Sequence, residues 1–214
     1  MKYSLLIFDW DGTLMDSLDK IVASMQRAAI QVDVAAPSNE AIRHIIGLSL
    51  NHAMDKLFPE QSKQTRLAII DAYRDDYRRF NSQLTPFYPG VKEWLFTLKQ
   101  RGYILAIATG KGRNGLNHVL ESHGMADFFS IAYCSDETAS KPDPLMLHKI
   151  LAEMDVKATQ ALMIGDSSYD LEMANNATID CIGVSYGVHC KSTLSAYNPL
   201  AILDNLPKQL DAYI

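Results

Sequence analysis

The protein has 214 residues, of which 48% are hydrophobic and 21% charged, and its formal net charge is −5. That length allows one large domain or a core with a smaller partner, and the composition is typical of a globular protein. The net charge and the lack of a lysine- or arginine-rich run argue against a nucleic-acid-binding protein. No stretch approaches the roughly 18 consecutive apolar residues of a membrane span, and acidic residues interrupt the first apolar run. The three cysteines form no CxxC pair, so we expect reduced thiols and a cytoplasmic protein without membrane or nucleic-acid partners.

Six short apolar runs predict β-strands. They span residues 3–8, 103–108, 131–134, 161–164, 181–184 and 200–203. The first, second and fourth runs are nearly continuous, which favours strands covered on both faces, as in a parallel sheet. From residue 90 onward these runs alternate with helical patterns at 91–98, 116–120 and 145–154. The predicted fold class is therefore α/β.

Residues 16–85 break this alternation. Apolar residues at helical spacing predict four consecutive helices there, and the stripe of the fourth helix ends at Phe80. Candidate helix caps are Asp16 or Ser17, then Ser38, then Ser49. We therefore predict an inserted all-α module at 16–85, with 1–15 and 86–214 forming the core.

Polar motifs stand where four of the predicted strands end. The candidate site residues are Asp9 and Asp11 in FDWDGTL, Thr109 and Gly110 in TGKG, Lys141 in SKPDP, and Asp166 and Asp170 in GDSSYD. Taken singly, each motif has an ordinary explanation as a turn, a helix cap or a solvated loop. Because ligands of open α/β sheets bind outside the carboxyl ends of the strands, we expect the four motifs to converge. Together they offer hard oxygen ligands for Mg²⁺ and donors for phosphate oxygens.

The four motifs resemble those of the haloacid dehalogenase-like hydrolase superfamily: DxDGT, a threonine ending the second strand, a lysine before Pro-Asp-Pro, and GDxxxD, in that order. The helical insert resembles that superfamily's small α-helical cap. SKPDP and the PGV at 89–91 are most similar to its phosphoglycolate phosphatase-like branch. The resemblance implies a three-layer, Rossmann-like parallel sheet with an inserted helical cap. It also implies a Mg²⁺-dependent phosphatase of small phosphomonoesters, with phosphoglycolate as the first candidate substrate.

The resemblance further assigns roles to the acidic residues. Asp9 would attack phosphorus and become an aspartyl-phosphate, and Asp11 would protonate the leaving oxygen and then deprotonate the attacking water. Mg²⁺ would be held by Asp9, the main-chain carbonyl of Asp11, and Asp166. Asp170 would act through a water ligand or orient the metal shell.

Thr109, Gly110 and Lys141 would bind the phosphoryl oxygens. The protein would be a monomer or homodimer, and its partner would be a small phosphorylated metabolite. The second motif departs from the branch pattern, in which asparagine usually follows the threonine. Lys111 and Arg113 of TGKGR either add positive charge near the phosphate or start a solvated helix, and the second interpretation is favoured.

Two other functions stay open. A phosphosugar mutase uses the same acid pair but must keep water from the aspartyl-phosphate, and Gly-Thr after Asp11 is more like phosphatases. A non-catalytic binding protein would show gaps in the motif set, and none is found. A dehalogenase needs no general acid, so Asp11 argues against that chemistry.

Arg74 and Arg78, interleaved with aspartates, are interpreted as part of a solvated helix face.

Overall fold

Six parallel strands form a sheet in the computed structural model, which describes residues 2–79 and 84–214. The strands are β1 (Leu5–Phe8), β2 (Ile104–Thr109), β3 (Ile131–Cys134), β4 (Ala161–Gly165), β5 (Asp180–Val184) and β6 (Ala201–Leu203). They lie in the order β3-β2-β1-β4-β5-β6, and every neighbouring pair is parallel. The predicted fold class is confirmed, and predicted strand limits differ from the observed ones by at most two residues.

The central strand β1 is buried along its whole length because apolar residues cover both faces of the sheet. Successive side chains of a strand point to opposite faces. Accordingly, Leu6 and Phe8 belong to one hydrophobic cluster, and Leu5 and Ile7 belong to another. Burying each large apolar side chain contributes about 1.5–3 kcal/mol. The carboxyl ends of the central strands are therefore a firmly packed platform.

Four consecutive helices follow β1 and form a helical module: α1 (Leu18–Gln31), α2 (Asn39–Ile45), α3 (Leu50–Leu57) and α4 (Lys63–Arg79). Their inward residues, such as Met25, Ile42 and Ile69, build a hydrophobic cluster that is separate from the two clusters on the sheet. The helical module thus has an apolar core of its own. Its exact limits at 16 and 85 stay a prediction, and Phe80 lies outside the described residues.

Two of the predicted helix caps of this module form capping hydrogen bonds, and the third does not. Ser38 and Ser49 each accept a hydrogen bond from an amide three residues further on, and both predictions are confirmed. The prediction that Asp16 or Ser17 caps α1 is confirmed for the position of Ser17, but the capping hydrogen bond is missing. Ser17 occupies the cap position without a capping bond, because its hydroxyl donates to Asp11 Oδ1 at 2.8 Å instead. The start of α1 is therefore tied to a candidate site residue.

The other helices pack around the sheet: α5 (Val91–Gln100), α6 (Arg113–Ser122), α7 (Leu145–Met154), α8 (Ser168–Asn176), α9 (Lys191–Ser195) and α10 (Leu206–Gln209). The first three follow the predicted patterns. α8 was not predicted, because its sequence SYDLEMANN has weak apolar periodicity; a capping box of Ser167 and Asp170 starts it instead. Over the described part of the chain, no helix combines the length and apolar character needed to cross a membrane.

Candidate active site

Two aspartates leave neighbouring strands at the carboxyl edge of the sheet. β1 and β4 pair with Phe8 opposite Ile164, so Asp9 and Asp166 follow the two strand ends close together. The amide of Asp9 donates to the carbonyl of Ile164 at 2.9 Å. Both aspartates are almost fully buried. The register of the parallel sheet therefore brings two of the predicted carboxylates to one place.

Lys141 joins this pair from the loop before α7. Its Nζ lies 2.6 Å from Asp9 Oδ1 and 2.6 Å from Asp170 Oδ1, and its side chain is fully buried. Asp9, Asp166 and Asp170 can place carboxylate oxygens within 4.8 Å of one another. We call these four residues the acidic cluster. With all three carboxylates ionised, one lysine leaves two negative charges uncompensated, and such an oxygen donor set fits a divalent cation.

The pKa values of the acidic cluster reflect this shortage of positive charge. Burial raises the pKa of Asp9 well above its usual range; Lys141 opposes the shift, while Asp170 and Asp166 add to it. Burial and the charge of Asp170 raise the pKa of Asp166 to about 7. Burial alone would lower the pKa of Lys141, but Asp170 and Asp9 outweigh it and raise that pKa. A bound cation would favour the ionised carboxylates.

Neighbouring side chains and amides hold the other carboxylate oxygens in place. Asp166 accepts hydrogen bonds from Thr13 Oγ1 and the amide of Val188, both at 2.8 Å. Asp170 Oδ2 accepts from the Ser167 amide at 3.0 Å and the Ser167 hydroxyl at 2.7 Å. Asp170 therefore links the start of α8 to Lys141, a structural task that the sequence motif alone did not reveal.

Asp11 points to a different set of partners. Its Oδ1 accepts from Ser17, and its Oδ2 lies 2.8 Å from Lys111 Nζ, with the two side chains only 12% and 10% exposed. The favoured interpretation of Lys111 as the start of a solvated helix is therefore wrong. Burial alone would lower the pKa of Lys111, but Asp11, with Tyr77 and Tyr73, outweighs it and raises that pKa. Lys111 accordingly keeps its positive charge beside Asp11.

Arg113 behaves differently from Lys111, although it lies two residues away. Its guanidinium donates to both carboxylate oxygens of Glu137, at 2.8 and 2.6 Å, and to the carbonyl of Ala132 at 2.6 Å. It therefore braces the start of α6 against the segment after β3. The suggestion that Arg113 adds charge near a phosphate is not supported by this geometry.

Thr109 and Gly110 end β2 beside these groups. Thr109 is buried, and its Oγ1 accepts from the amide of Lys111 at 3.1 Å. A Cβ atom at Gly110 would collide with the carbonyl oxygen of Gly47 in the helical module. Only glycine lets the main chains of the core and the helical module approach so closely here. This contact positions the module above the carboxyl edge of the sheet.

A cavity of about 500 Å³ lies between the helical module and this edge. On the core side it is lined by Asp9, Asp11, Thr109, Gly110 and Lys111. The module contributes an apolar wall, which includes Ile21, Met25 and Ile45, and also Tyr73, Arg74, Tyr77 and Arg78. The interpretation of Arg74 and Arg78 as part of a solvated face is thus incomplete, because these exposed arginines also line the cavity.

Several residues of the site were missed from the sequence. Ser17 and Thr13 both bind candidate carboxylates, a task that a helix cap or the turn of FDWDGTL does not imply. Tyr77 lies on α4, and its ring is 4.9 Å from Lys111 Nζ. Thr13 is the threonine of the DGT motif, and its place in that motif was the signal that could have marked it as a site residue. Nothing local to the sequence signals the contact between Tyr77 and Lys111.

Comparison with known proteins agrees with this arrangement. A family model described as haloacid dehalogenase-like hydrolase matches residues 6–184. A phosphoglycolate phosphatase of Vibrio parahaemolyticus is 32% identical over 97% of this chain and 94% of its own length. The probable phosphatase IndB of Dickeya dadantii is 33% identical over 97% of this chain and 92% of its own length.

Solved structures give the same result. A crystal structure described as a predicted phosphoglycolate phosphatase from Haemophilus somnus has a TM-score of 0.87 and 25% identity, covering 100% of this chain and 99% of that one. These two relatives and this structure are all described as phosphatases, and the predicted family and enzyme class are confirmed. This chain belongs to the haloacid dehalogenase-like hydrolase family.

Proposed function

We propose that the protein is a Mg²⁺-dependent phosphomonoester hydrolase that works through an aspartyl-phosphate on Asp9, with phosphoglycolate as the first candidate substrate. The acidic cluster carries this proposal, because its buried carboxylates are short of positive charge and one of them, Asp9, lines a cavity large enough for a metabolite. The phosphoglycolate phosphatases among the relatives supply the first candidate substrate.

Asp9 is the nucleophile in this proposal. An oxygen of Asp9 attacks phosphorus, and the bond between phosphorus and the ester oxygen breaks. Lys141, 2.6 Å from Asp9, is suited to orient that carboxylate and to contact the phosphoryl oxygens. Thr109 and Gly110 line the same cavity and would supply further donors to them.

Asp11 carries the proton. It gives a proton to the leaving oxygen in the first step, and in the second step it takes one from the water that attacks the phosphorus. The bond between Asp9 and phosphorus then breaks and inorganic phosphate leaves. Ser17 and Lys111 hold both carboxylate oxygens of Asp11, so its position at the cavity is defined before substrate arrives.

The donor set fits Mg²⁺, which prefers oxygen ligands and commonly keeps some of its waters. Asp9, the main-chain carbonyl of Asp11, and Asp166 would hold it. Asp170 already uses its two oxygens on Lys141 and Ser167, which favours a water-mediated or orienting role. When bound, Mg²⁺ would neutralise negative charge on the carboxylates and on the phosphoryl group.

A panel of phosphate esters tests the proposal. The panel contains phosphoglycolate, sugar phosphates, nucleotides and pyrophosphate, each assayed with Mg²⁺ and with a chelator, for the natural chain and for Asp9→Asn. We expect metal-dependent phosphate release from at least one ester, and loss of nearly all of it in Asp9→Asn. Asp127→Asn, which changes an exposed carboxylate, is the matched control.

Two results would contradict the proposal. Absence of metal-dependent phosphate release from every ester would rule out the phosphatase. Isomerised sugar phosphate with little free phosphate would favour the mutase instead. Circular dichroism of Asp9→Asn would show that its loss of activity is not a loss of fold.

A further inference from the structure

Lys111 is a buried cation that lines the cavity without belonging to the acidic cluster. It follows β2 in the loop that leads into α6, and its side chain is 10% exposed. Lys141 already forms ion pairs with Asp9 and Asp170. The two lysines therefore act on different carboxylates, Lys141 at the nucleophile and Lys111 at Asp11.

The surroundings of Lys111 hold its side chain in this direction. Its Nζ lies 2.8 Å from Asp11 Oδ2 and 4.9 Å from the centroid of the Tyr77 ring. A Cβ atom at Gly115, inside α6, would lie 3.2 Å from Lys111 Cγ. Glycine inside a helix is unfavourable relative to alanine, and here it makes room for the stem of the lysine. The direction of Lys111 is thus built into both the core and the helical module.

The contact with Asp11 locates Lys111 relative to a bound ester. Under the proposed function, Asp11 must lie within hydrogen-bond reach of the leaving oxygen, at about 2.6–3.2 Å. Lys111 Nζ is 2.8 Å from the same carboxylate. When one oxygen of Asp11 contacts both at once, the leaving oxygen is therefore at most about 6 Å from Nζ. An anionic group on the carbon next to that oxygen falls within reach of the ammonium.

A lysine in this setting favours an anion over a neutral group. An ammonium carries three N–H donors, so it can keep Asp11 and still bind a second carboxylate. Hydrogen bonds between ionised partners are stronger than neutral ones, especially where water is largely excluded. Arg74 and Arg78 of the helical module also line the cavity, but both are exposed to solvent, whereas Lys111 is largely buried and in direct contact with Asp11.

We propose that Lys111 is a specificity-determining residue that binds an anionic group on the leaving-group side of the substrate. The substrate class is then a phosphomonoester whose carboxylate stands one carbon from the ester oxygen, and phosphoglycolate is its smallest member. This inference rests on the proposed phosphatase function and adds the residue that selects the leaving group.

A neutral isostere provides the decisive comparison. The values of kcat/KM are measured for phosphoglycolate and for its amide, in which the carboxylate becomes an uncharged carboxamide of the same shape. We expect the natural chain to prefer the carboxylate by about 10- to 100-fold, the range of one hydrogen bond between charged groups. Lys111→Met is expected to lose that preference, so that the ratio of the two kcat/KM values falls to about one, on top of any loss that both esters share because Asp11 loses a partner.

Chain length tests the reach of the lysine without any substitution. Esters with one, two or four carbons between the ester oxygen and the carboxylate are compared on the natural chain. We expect kcat/KM to fall as the carboxylate moves away. A preference for the longest ester would overturn the inference.

Matched variants separate charge from other effects. Lys111→Arg keeps the positive charge and is expected to retain part of the preference for the carboxylate. Arg113→Met, two residues away and paired with Glu137, is expected to leave the ratio of the two esters unchanged. Circular dichroism checks folding, and the comparison of esters on the natural chain stands even where a variant does not fold.

The outcomes are distinguishable. Equal losses on both esters in Lys111→Met would overturn its role in specificity. The absence of a preference in the natural chain would also overturn it, while metal-dependent hydrolysis of either ester would leave the proposed phosphatase intact. No metal-dependent hydrolysis of any ester would overturn both.

Discussion

At the sheet end of the cavity, Asp9, Asp166, Asp170 and Lys141 all come from the core and are almost fully buried. At the other end, Asp11 meets Lys111 of the core, Ser17 at the start of α1, and the ring of Tyr77 from α4. The first group depends on one rigid sheet, whereas the second depends on two hydrophobic cores meeting correctly. Substitutions at the sheet end or at Asp11 should change the chemistry, and those at the groups around Asp11, above all Lys111, should change which ester is accepted.

The largest expected loss of activity comes from a substitution at the sheet end. Lys141→Met removes the one cation that contacts both Asp9 and Asp170. We expect kcat/KM to fall about 10²- to 10³-fold, as for loss of a preorganised charge at a reacting centre. Steady-state kinetics on the best ester measures it. The control is Lys149→Met, a lysine on α7 outside the acidic cluster; a similar loss there would contradict the assignment.

Mg²⁺ bound at the sheet end should stabilise the folded protein. Mg²⁺ at about 100 times its Kd adds roughly 2.7 kcal/mol to the free energy of unfolding. For a chain of this size that raises Tm by about 5–10 °C. Thermal unfolding with Mg²⁺ and with a chelator measures the shift, which Asp166→Asn should abolish.

A second acidic group provides the control for that experiment. Asp136 lies with Cys134 and Glu137 in a separate set of candidate ligands. Asp136→Asn should keep the Mg²⁺-dependent shift in Tm. If it loses the shift while Asp166→Asn retains it, the metal binds elsewhere.

A smaller effect is expected where the two halves touch. Gly110→Ala places a carbon against the carbonyl of Gly47 and pushes the helical module away from the core. We expect kcat/KM to fall about tenfold or more, from roughly 1–3 kcal/mol of overpacking, while the Mg²⁺ shift in Tm persists. Gly102→Ala, whose added carbon meets no atom within 4 Å but whose φ of +89° strains any side chain, controls for a general loss of stability without a clash between the two halves. If Gly110→Ala loses the Mg²⁺-dependent shift in Tm, metal binding at the sheet end is not independent of how the helical module docks.

The smallest effect concerns the helical module by itself. Burial would raise the pKa of Asp76, but hydrogen bonds from Arg27 and Ser24 outweigh it and lower that pKa. A lowered folded pKa means that the ion pair stabilises the protein above about pH 4, the unfolded value, and that this stability is lost as pH falls below it. Asp76→Asn should cost about 1 kcal/mol at pH 7, because Arg27 is half-exposed, and little at pH 3.

Urea unfolding at the two pH values measures this difference. Asp75→Asn, its exposed neighbour, should change stability little at either pH. An equal cost of Asp76→Asn at pH 7 and pH 3 would show that charge is not the cause.

Much of the sheet end was predictable because it follows from local patterns. Continuous apolar runs located the strands, and parallel register then dictated that residues such as Asp9 and Asp166 meet at one edge. Weak apolar periodicity hides α8 in the sequence, and the capping box that starts it uses Asp170, a residue of the predicted ligand motif. A residue with two structural partners cannot be told from a pure ligand by spacing alone.

The module end was less predictable for a physical reason. Lys111 follows a strand in a glycine-rich loop, where exposure is the usual fate of a lysine. Its burial depends on Tyr77, from a helix far away in the sequence, and on the room left by Gly115. Likewise, the helical spacing of Arg74 marks a solvated face, but only the docking of the helical module shows that this face also borders a cavity.

The contact between Gly47 and Gly110 has a consequence for the modularity of this chain. It joins the two halves of the site through main-chain atoms, so it does not depend on the identity of particular side chains. Glycine at both positions keeps this close approach open to a helical module of different sequence, although side-chain contacts such as Tyr169 with the carbonyl of His44 also join the two halves. Grafting the module of a relative onto this core should therefore leave the phosphate-cleaving machinery and the anion-binding Lys111 of the core in place, and change only the contacts that the module itself makes with the substrate.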